Sequence, residues 1–319
     1  MRSAKIIATG SYLPSKILTN FDLEKLVDTN DTWIVERTGI NKRHIIASDE
    51  TSSDMAYHAA LQALGRAQIN PQQIDLIIVA TTTPDAIFPS TACLLQQKLG
   101  IKGGAAFDIA AACSGFIYAL TTAECYIRAG MAQTVLVVGV DCLSRHVDYT
   151  DRGTCILFGD GAGAVIVEAS TTPGILSAEL RADGDYADIL NINASVQNGV
   201  IKGNPYIYMD GQAVFKFAVK ALSAIAKSVI NKAGLSVTDI DWMIPHQANL
   251  RIIESTARAL GVSMDKVIVT VAGHGNTSAA SIPLALDYGV AEGRIKRGDT
   301  LLLEGIGAGF TWGAIVIKY

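Results

Sequence analysis

The sequence predicts an α/β fold built from two duplicated halves, and three internal echoes predict it. The runs IDLIIV (74–79) and IDWMIP (240–245) each follow a polar, turn-rich stretch. Each leads to a helix-like segment ending in Leu-Gly, STACLLQQKLG (90–100) and RIIESTARALG (251–261). TVLVVG (134–139) and TLLLEG (300–305) follow Gly130 and Gly298. FGDGAGAVIVEA (158–169) and GAGFTWGAIVIKY (307–319) both set alternate glycines before an apolar strand.

The elements follow in order. The runs 74–80 and 134–140 lack strict alternation, so they read as strands buried on both faces, as in a sheet covered by helices on each side. Helical stretches are expected at 113–129 and 277–292. STTPG (170–174) is a turn-rich break, which divides the chain into an N-terminal half, 1–170, and a C-terminal half, 171–319. Residues 142–157 have no counterpart in the second half. An extra segment of this kind is expected to shape a substrate site or a subunit contact.

Composition narrows the function. The chain has 319 residues, half of them hydrophobic and 18% charged, with net charge −4. No global basic field favours nucleic acid or an anionic membrane. Met1–Pro14 lacks the charged start and apolar core of a signal peptide, and the apolar stretch between Asp108 and Glu124 is too short to span a bilayer. The five cysteines are odd in number and irregular in spacing, with no C-x-x-C and no H-x-x-x-H pair. This predicts a reduced, cytoplasmic setting and no metal. Cys93 and Cys125 read as helix packing; nothing near Cys142 or Cys155 suggests activation.

Three residues stand at places suited to chemistry. In FDIAAACSGFIYAL (107–120), Cys113 sits where a strand turns into a helix. Free N–H groups and the helix dipole there favour a thiolate; the alternative is an inert buried thiol. His246, in PHQAN (245–249), leaves the end of a strand, where α/β sheets commonly bind ligands; a structural histidine is the alternative. Asn276, in VAGHGNTSAAS (271–281), opens the next helix beside Gly273 and Gly275, as a pocket donor or only as a helix cap. A pseudo-twofold between the halves would bring these helix starts and the strand end toward one cavity. GDGAGA (159–164) fits a dinucleotide fingerprint formally, but it precedes a strand instead of opening a helix. Its glycines are read as tight turns, and the 305–309 glycines as a candidate oxyanion loop.

WIVERTGI (33–40), AAACSGF (110–116), DRGTCILFGDGAGA (151–164), PHQANLRII (245–253), GHGNTSAAS (273–281) and GAGFTWG (307–313) resemble the thiolase-like condensing enzymes. Within them the chain is similar to the β-ketoacyl-acyl-carrier-protein synthase III family over nearly its whole length. The resemblance implies a five-layered α-β-α-β-α sandwich. It implies an acyltransferase that starts bacterial fatty acid synthesis by condensing acetyl-coenzyme A with malonyl-acyl-carrier-protein through an acyl-Cys113 intermediate. Cys113, His246 and Asn276 would form the catalytic triad, and Gly307, Ala308 and Gly309 the oxyanion loop. Trp33, Arg37, Arg152 and Asn249 would bind coenzyme A. The segment Gln247, Ala248, Asn249, Leu250 and Arg251 would dock the acyl carrier protein. Phe88 and Ile306 would line the acyl pocket, with Phe88 reaching across a homodimer. No cofactor is implied, since acetyl-coenzyme A is a substrate. Ala308 departs from the glycine common at that position, which leaves the exact oxyanion donor open. A ketide- or quinolone-forming synthase and a non-catalytic thiolase-like scaffold are the competing readings.

Overall fold

The structure is a computed structural model that describes residues 2–319. Its first main sheet holds β1 (Ser3–Tyr12), β2 (Leu76–Ala80), β3 (Ala105–Ile109), β4 (Thr134–Cys142) and β5 (Asp160–Ser170), in the order β1-β5-β4-β2-β3. The second holds β6 (Ile175–Ala182), β7 (Trp242–Pro245), β8 (Thr300–Gly307) and β9 (Thr311–Lys318), in the order β7-β8-β9-β6. Read in reverse, the second order repeats the first without its edge strand. β2 is parallel to β4 as β7 is to β8, and β4–β5 and β8–β9 are antiparallel. The missing edge strand survives as a single bridge between Met243 and Val267. Every residue of β2 and β4 is buried, as the unbroken apolar runs require.

The helices complete five layers. α1 (Asp31–Thr38) lies in the excursion between β1 and β2. α2 (Ser52–Ala67) and α3 (Thr91–Lys98) cover the outer face of the first sheet. α5 (Gly211–Lys232) and α6 (Leu250–Leu260) cover the outer face of the second. α4 (Gly115–Arg128) and α7 (Ser281–Ala291) lie between the sheets and touch both. The inner faces of both sheets and these two central helices share one apolar core. No helix among the described residues is long and apolar enough to cross a membrane.

The alternate glycines prove to be close-approach positions. Gly161 and Gly163 lie inside β5, not in a turn before it. A Cβ on Gly163 would stand 2.7 Å from the Leu284 nitrogen and from Pro283 Cβ of α7, and a Cβ on Gly313 of β9 would stand 2.8 Å from Ile117 of α4. The same strand position in each half thus lets a central helix press against the sheet. Gly305 and Gly307 likewise belong to β8, and only residues 308–310 turn into β9. The corresponding connection in the first half runs from Leu143 to Gly159 and contains the extra segment.

Candidate active site

Cys113 stands on a short 3-10 turn, Ala112–Ser114, between β3 and α4. The turn is held by Ser114 N–H donating to the Ala111 carbonyl at 3.2 Å. Ala112 adopts φ 45°, a left-handed conformation that is costly for a residue with a Cβ. β8 presses against the turn from the other half. A Cβ on Gly307 would lie 2.5 Å from the Cys113 nitrogen, so only glycine allows the strand this close. Thr311 Oγ1 closes the corner, donating to the carbonyls of Ala111 (3.0 Å) and Ala308 (3.2 Å) and accepting from Ser114 Oγ (2.8 Å). Ala308 is not among the residues with positive φ, whereas Gly309 has φ 134°. The departure from glycine at 308 therefore falls where a side chain fits.

Cys113 opens into a cavity of about 560 Å³ that is also lined by Ala112, Ser278, Ala308, Ile87, Leu143, Phe158 and the hairpin 194–203. The expected thiolate is not what this environment favours. Burial pushes the Cys113 thiol up to about 12, and the charge of Asp141 adds to the rise. A hydrogen bond with the Ser278 side chain opposes it, and so does one with the backbone at Cys113. Packing the turn under a second sheet desolvates the thiol and opposes the effect of the helix end.

His246 follows the end of β7 and is buried. Its Nδ1 is 2.6 Å from Ser281 Oγ at the start of α7, and its Nε2 makes no hydrogen bond with any described residue. Burial pulls its pKa down to about 3, so the imidazole is neutral. Asn276 is buried on the loop before α7, with Oδ1 accepting from Ser278 N–H at 2.9 Å. Its backbone N–H donates to Leu157 at 2.9 Å and its carbonyl accepts from Gly159 at 3.0 Å. Its Nδ2 makes no hydrogen bond with any described residue. Cys113 and Ser278 line the same cavity, which neither His246 nor Asn276 lines; Ser278 N–H donates to Asn276, and Ser281, at the end of the same turn, meets His246.

The other expected residues divide. Trp33, on α1, lies under two guanidinium groups, with the Cζ of Arg37 5.2 Å and that of Arg152 5.1 Å from its ring centroid. Asn249 caps α6 through Arg251 N–H at 2.9 Å and donates to the Arg37 carbonyl at 3.0 Å, tying α6 to α1. Arg251 is exposed, with its guanidinium over Phe215. Ala248 and Leu250 are half-buried beside it. Gln247 does not belong to a docking surface. It is 1% exposed, and its amide is spent on the carbonyls of Pro245 and Ile268 and the N–H groups of Thr270 and Val271.

Ile306 does not line the cavity of Cys113. Along β8, Gly305 and Gly307 face the Cys113 turn, so Ile306 faces the other side, packed with Ala218, Leu222 and Ile252. Cys125 is exposed instead of packed. Phe88 is 83% exposed, next to Ile87 on the cavity rim. Sequence reasoning missed Ser278 and Ser281, although both lie in the quoted GHGNTSAAS segment. It also missed Glu304, which is fully buried in β8 with neither carboxylate oxygen hydrogen-bonded, and which burial pushes up to about 8. No group of three or more His, Cys, Asp or Glu side chains among the described residues is arranged to hold a metal.

Residues 107–184 match the 3-oxoacyl-[acyl-carrier-protein] synthase III family, and residues 230–319 match its C-terminal part. The chain is 60% identical over 320 aligned residues to the β-ketoacyl-[acyl-carrier-protein] synthase III of Neisseria meningitidis serogroup A, with both chains fully covered. The solved 3-oxoacyl-[acyl-carrier-protein] synthase III of Aquifex aeolicus superposes with a TM-score of 0.95 at 49% identity, covering 99% of this chain and 100% of that one. The priming β-ketosynthase of the R1128 polyketide pathway gives a TM-score of 0.93 at 36% identity, covering 99% of this chain and 96% of that one.

Proposed function

Because the chain belongs to the 3-oxoacyl-[acyl-carrier-protein] synthase III family and has its thiolase-like fold, we propose how its residues divide the work of that reaction. The enzyme initiates fatty acid synthesis by decarboxylative condensation of a short acyl-coenzyme A with malonyl-acyl-carrier-protein. The observation that carries the assignment of roles is the setting of Cys113, on a strained turn at a cavity wall, with its N–H beside a strand that only glycine lets approach.

Cys113 attacks the acetyl thioester. A carbon–sulfur bond forms at Sγ, the bond to coenzyme A breaks, and the thiol proton leaves with the coenzyme A thiol. N–H groups at Cys113 and in the 307–309 loop hold the oxyanion. Malonyl-acyl-carrier-protein then loses carbon dioxide, and the electron pair of that bond becomes an enolate. His246 and Asn276 donate hydrogen bonds to the enolate oxygen. A neutral imidazole with pKa about 3 is a poor proton acceptor but a good donor. Gln247 N–H donates to Ser281 Oγ at 3.4 Å, which leaves the Ser281 hydroxyl free to donate to Nδ1. The imidazole proton then sits on Nε2. Asn276 Nδ2 is a donor with no competing partner among the described residues. The enolate carbon attacks the acetyl-Cys113 carbonyl, the carbon–sulfur bond breaks, and the thiolate takes a proton from water. The carbanion comes from decarboxylation, so the proposed route draws on no metal or redox group.

Trp33, Arg37 and Arg152 hold the nucleotide end of coenzyme A, and Asn249 borders the pantetheine path. Arg251, with Ala248, Asn249 and Leu250, meets the acidic carrier protein. The open edge of β3 and the exposed Phe88 suit a homodimer in which Phe88 completes the partner's acyl pocket. Five free cysteines suit a cytoplasmic setting. Mass spectrometry of the peptide map after exposure to acetyl-coenzyme A tests the central role. One acetyl adduct on Cys113, absent in Cys113→Ser, is expected; an adduct elsewhere on active protein overturns the assignment.

A further inference from the structure

Arg43 is 0% exposed, and no carboxylate among the described residues forms an ion pair with it. Burial pulls its pKa down only to about 10, so it stays charged at neutral pH. A buried, unpaired cation opposes folding and calls for a reason. Its hydrogen bonds supply one. Nη1 donates to the Leu18 carbonyl at 3.2 Å and to Asn20 Oδ1 at 2.9 Å, and Nη2 donates to the Ile156 carbonyl at 2.7 Å. Asn20 passes the connection on, since its Nδ2 donates to Asp31 Oδ1 and to the Ile40 carbonyl, each at 2.8 Å. Asp31 and Ile40 bracket α1, which carries Trp33 and Arg37. Ile156 lies in the segment 151–158, which carries Arg152.

The same side chain also borders the second-half loop. A Cβ on Gly275 would lie 2.9 Å from Arg43 Cβ, and one on Gly159 would lie 3.0 Å from it. Asn276 hydrogen-bonds to both neighbours of this junction, Leu157 and Gly159. Two separate chain segments therefore meet on one guanidinium, and the second-half loop packs against the Cβ of the same residue. A planar fork can serve acceptors in several directions from one rigid group, which an ammonium on a flexible stem does not reproduce.

We propose that Arg43 is a positioning residue that fixes the spacing between Trp33 and Arg152, and so sets affinity for the nucleotide end of the acyl-coenzyme A substrate. This rests on the assignment of Trp33 and Arg152 to coenzyme A. Arg43 touches no substrate. It acts through Asn20 on α1 and through Ile156 on the Arg152 segment. Its effect should therefore depend on whether the thioester carries a nucleotide.

The test measures acylation of Cys113 by acetyl-coenzyme A and by acetyl-pantetheine, which lacks the nucleotide, in Arg43→Lys, Asn20→Ala and Trp33→Ala. Losing hydrogen bonds to a charged group should raise the KM for acetyl-coenzyme A about tenfold in Arg43→Lys, and several-fold in Asn20→Ala. The KM for acetyl-pantetheine and the maximal acylation rate should stay within about twofold. Asn20→Ala carries the test if Arg43→Lys does not fold. Equal KM increases for both thioesters, or none for either, in Arg43→Lys and Asn20→Ala overturn the role of Arg43 while Trp33→Ala still discriminates. If Trp33→Ala also treats the two thioesters alike, the coenzyme A assignment itself fails and takes this inference with it.

Discussion

The nucleophile turn of the first half, Ala111–Gly115, and the turn Thr277–Ser281 of the second are built alike and loaded differently. Each is a 3-10 turn feeding a central helix, and each is closed by the same hydrogen bond, Ser114 N–H to Ala111 and Ala280 N–H to Thr277. Each carries a non-glycine residue at positive φ, Ala112 at 45° and Ser278 at 52°. Each is backed by a strand glycine of the opposite half. A Cβ on Gly139 would lie 2.2 Å from the Ala279 carbonyl oxygen, and one on Gly305 would lie 3.5 Å from that of Cys113. In register, Ala110, Ala112 and Cys113 correspond to Asn276, Ser278 and Ala279. The first turn has a thiol and no polar neighbour at these positions; the second has polar groups and no thiol. Duplication supplied two strained turns, and in the proposed mechanism divergence gave each one part of the chemistry.

The largest expected effect separates the two turns. Asn276→Ala, or His246→Ala, should still form acetyl-Cys113, because the first turn is untouched. Condensation should fall by about 10²- to 10³-fold in each, the usual loss for one oxyanion donor. Single-turnover acylation followed by release of labelled carbon dioxide from malonyl-acyl-carrier-protein checks this. Normal decarboxylation in either variant would break the division of labour.

The division was partly legible in the sequence. The duplicated halves were readable because buried-strand runs and Leu-Gly helix ends are local patterns, and local patterns survive duplication. The glycines mislead because Gly-x-Gly looks the same in a turn and in a strand pressed against a helix. Only the partner, Pro283 for Gly163 or Cys113 for Gly307, distinguishes the two. The side that Ile306 faces is not legible because a strand's alternation gives no absolute direction until its neighbours are placed. The rise of the Cys113 pKa is hidden for the same reason, since the helix end is local but the burying sheet comes from almost 200 positions away. Arg43 and Glu304 left no mark, because burial of a charged side chain is purely tertiary.

Glu304 sharpens the comparison at the level of the backing strands. Its counterpart in the first half is Val138, fully buried like it but unable to ionise. The carboxyl is raised from 4.5 to about 8 in the fold. The folded state therefore holds a proton that the unfolded chain releases above pH 4.5. The stabilising contribution is full below that pH and is lost as pH rises toward 8, by on the order of a few kcal/mol. Glu304→Gln removes the titration and keeps the shape. The variant should be no more stable than the parent near pH 4.5 and progressively more stable, relative to it, up to pH 8. Thermal unfolding at several pH values reads the gap, and a gap independent of pH would show that Glu304 titrates alike in the folded and unfolded chain, with no raised pKa.

Ser278 gives the smallest expected effect and the finest test, because it is where one turn reaches into the other. Its counterpart is Ala112, so Ser278→Ala makes the two turns alike at that position and removes one of the hydrogen bonds that favour the Cys113 thiolate. The pKa of Cys113, already pushed up to about 12 by burial, should rise further. Acylation depends on loss of the thiol proton, so its rate should fall about three- to tenfold at neutral pH, consistent with one hydrogen bond of about 1 kcal/mol. The rising limb of the pH–rate profile should also move to higher pH. Decarboxylation by the remaining donors of the second turn should hardly change once Cys113 is acylated. If Ser278→Ala slowed decarboxylation and left acylation untouched, the hydroxyl would act on the enolate side, and the two turns would not cooperate through the thiol.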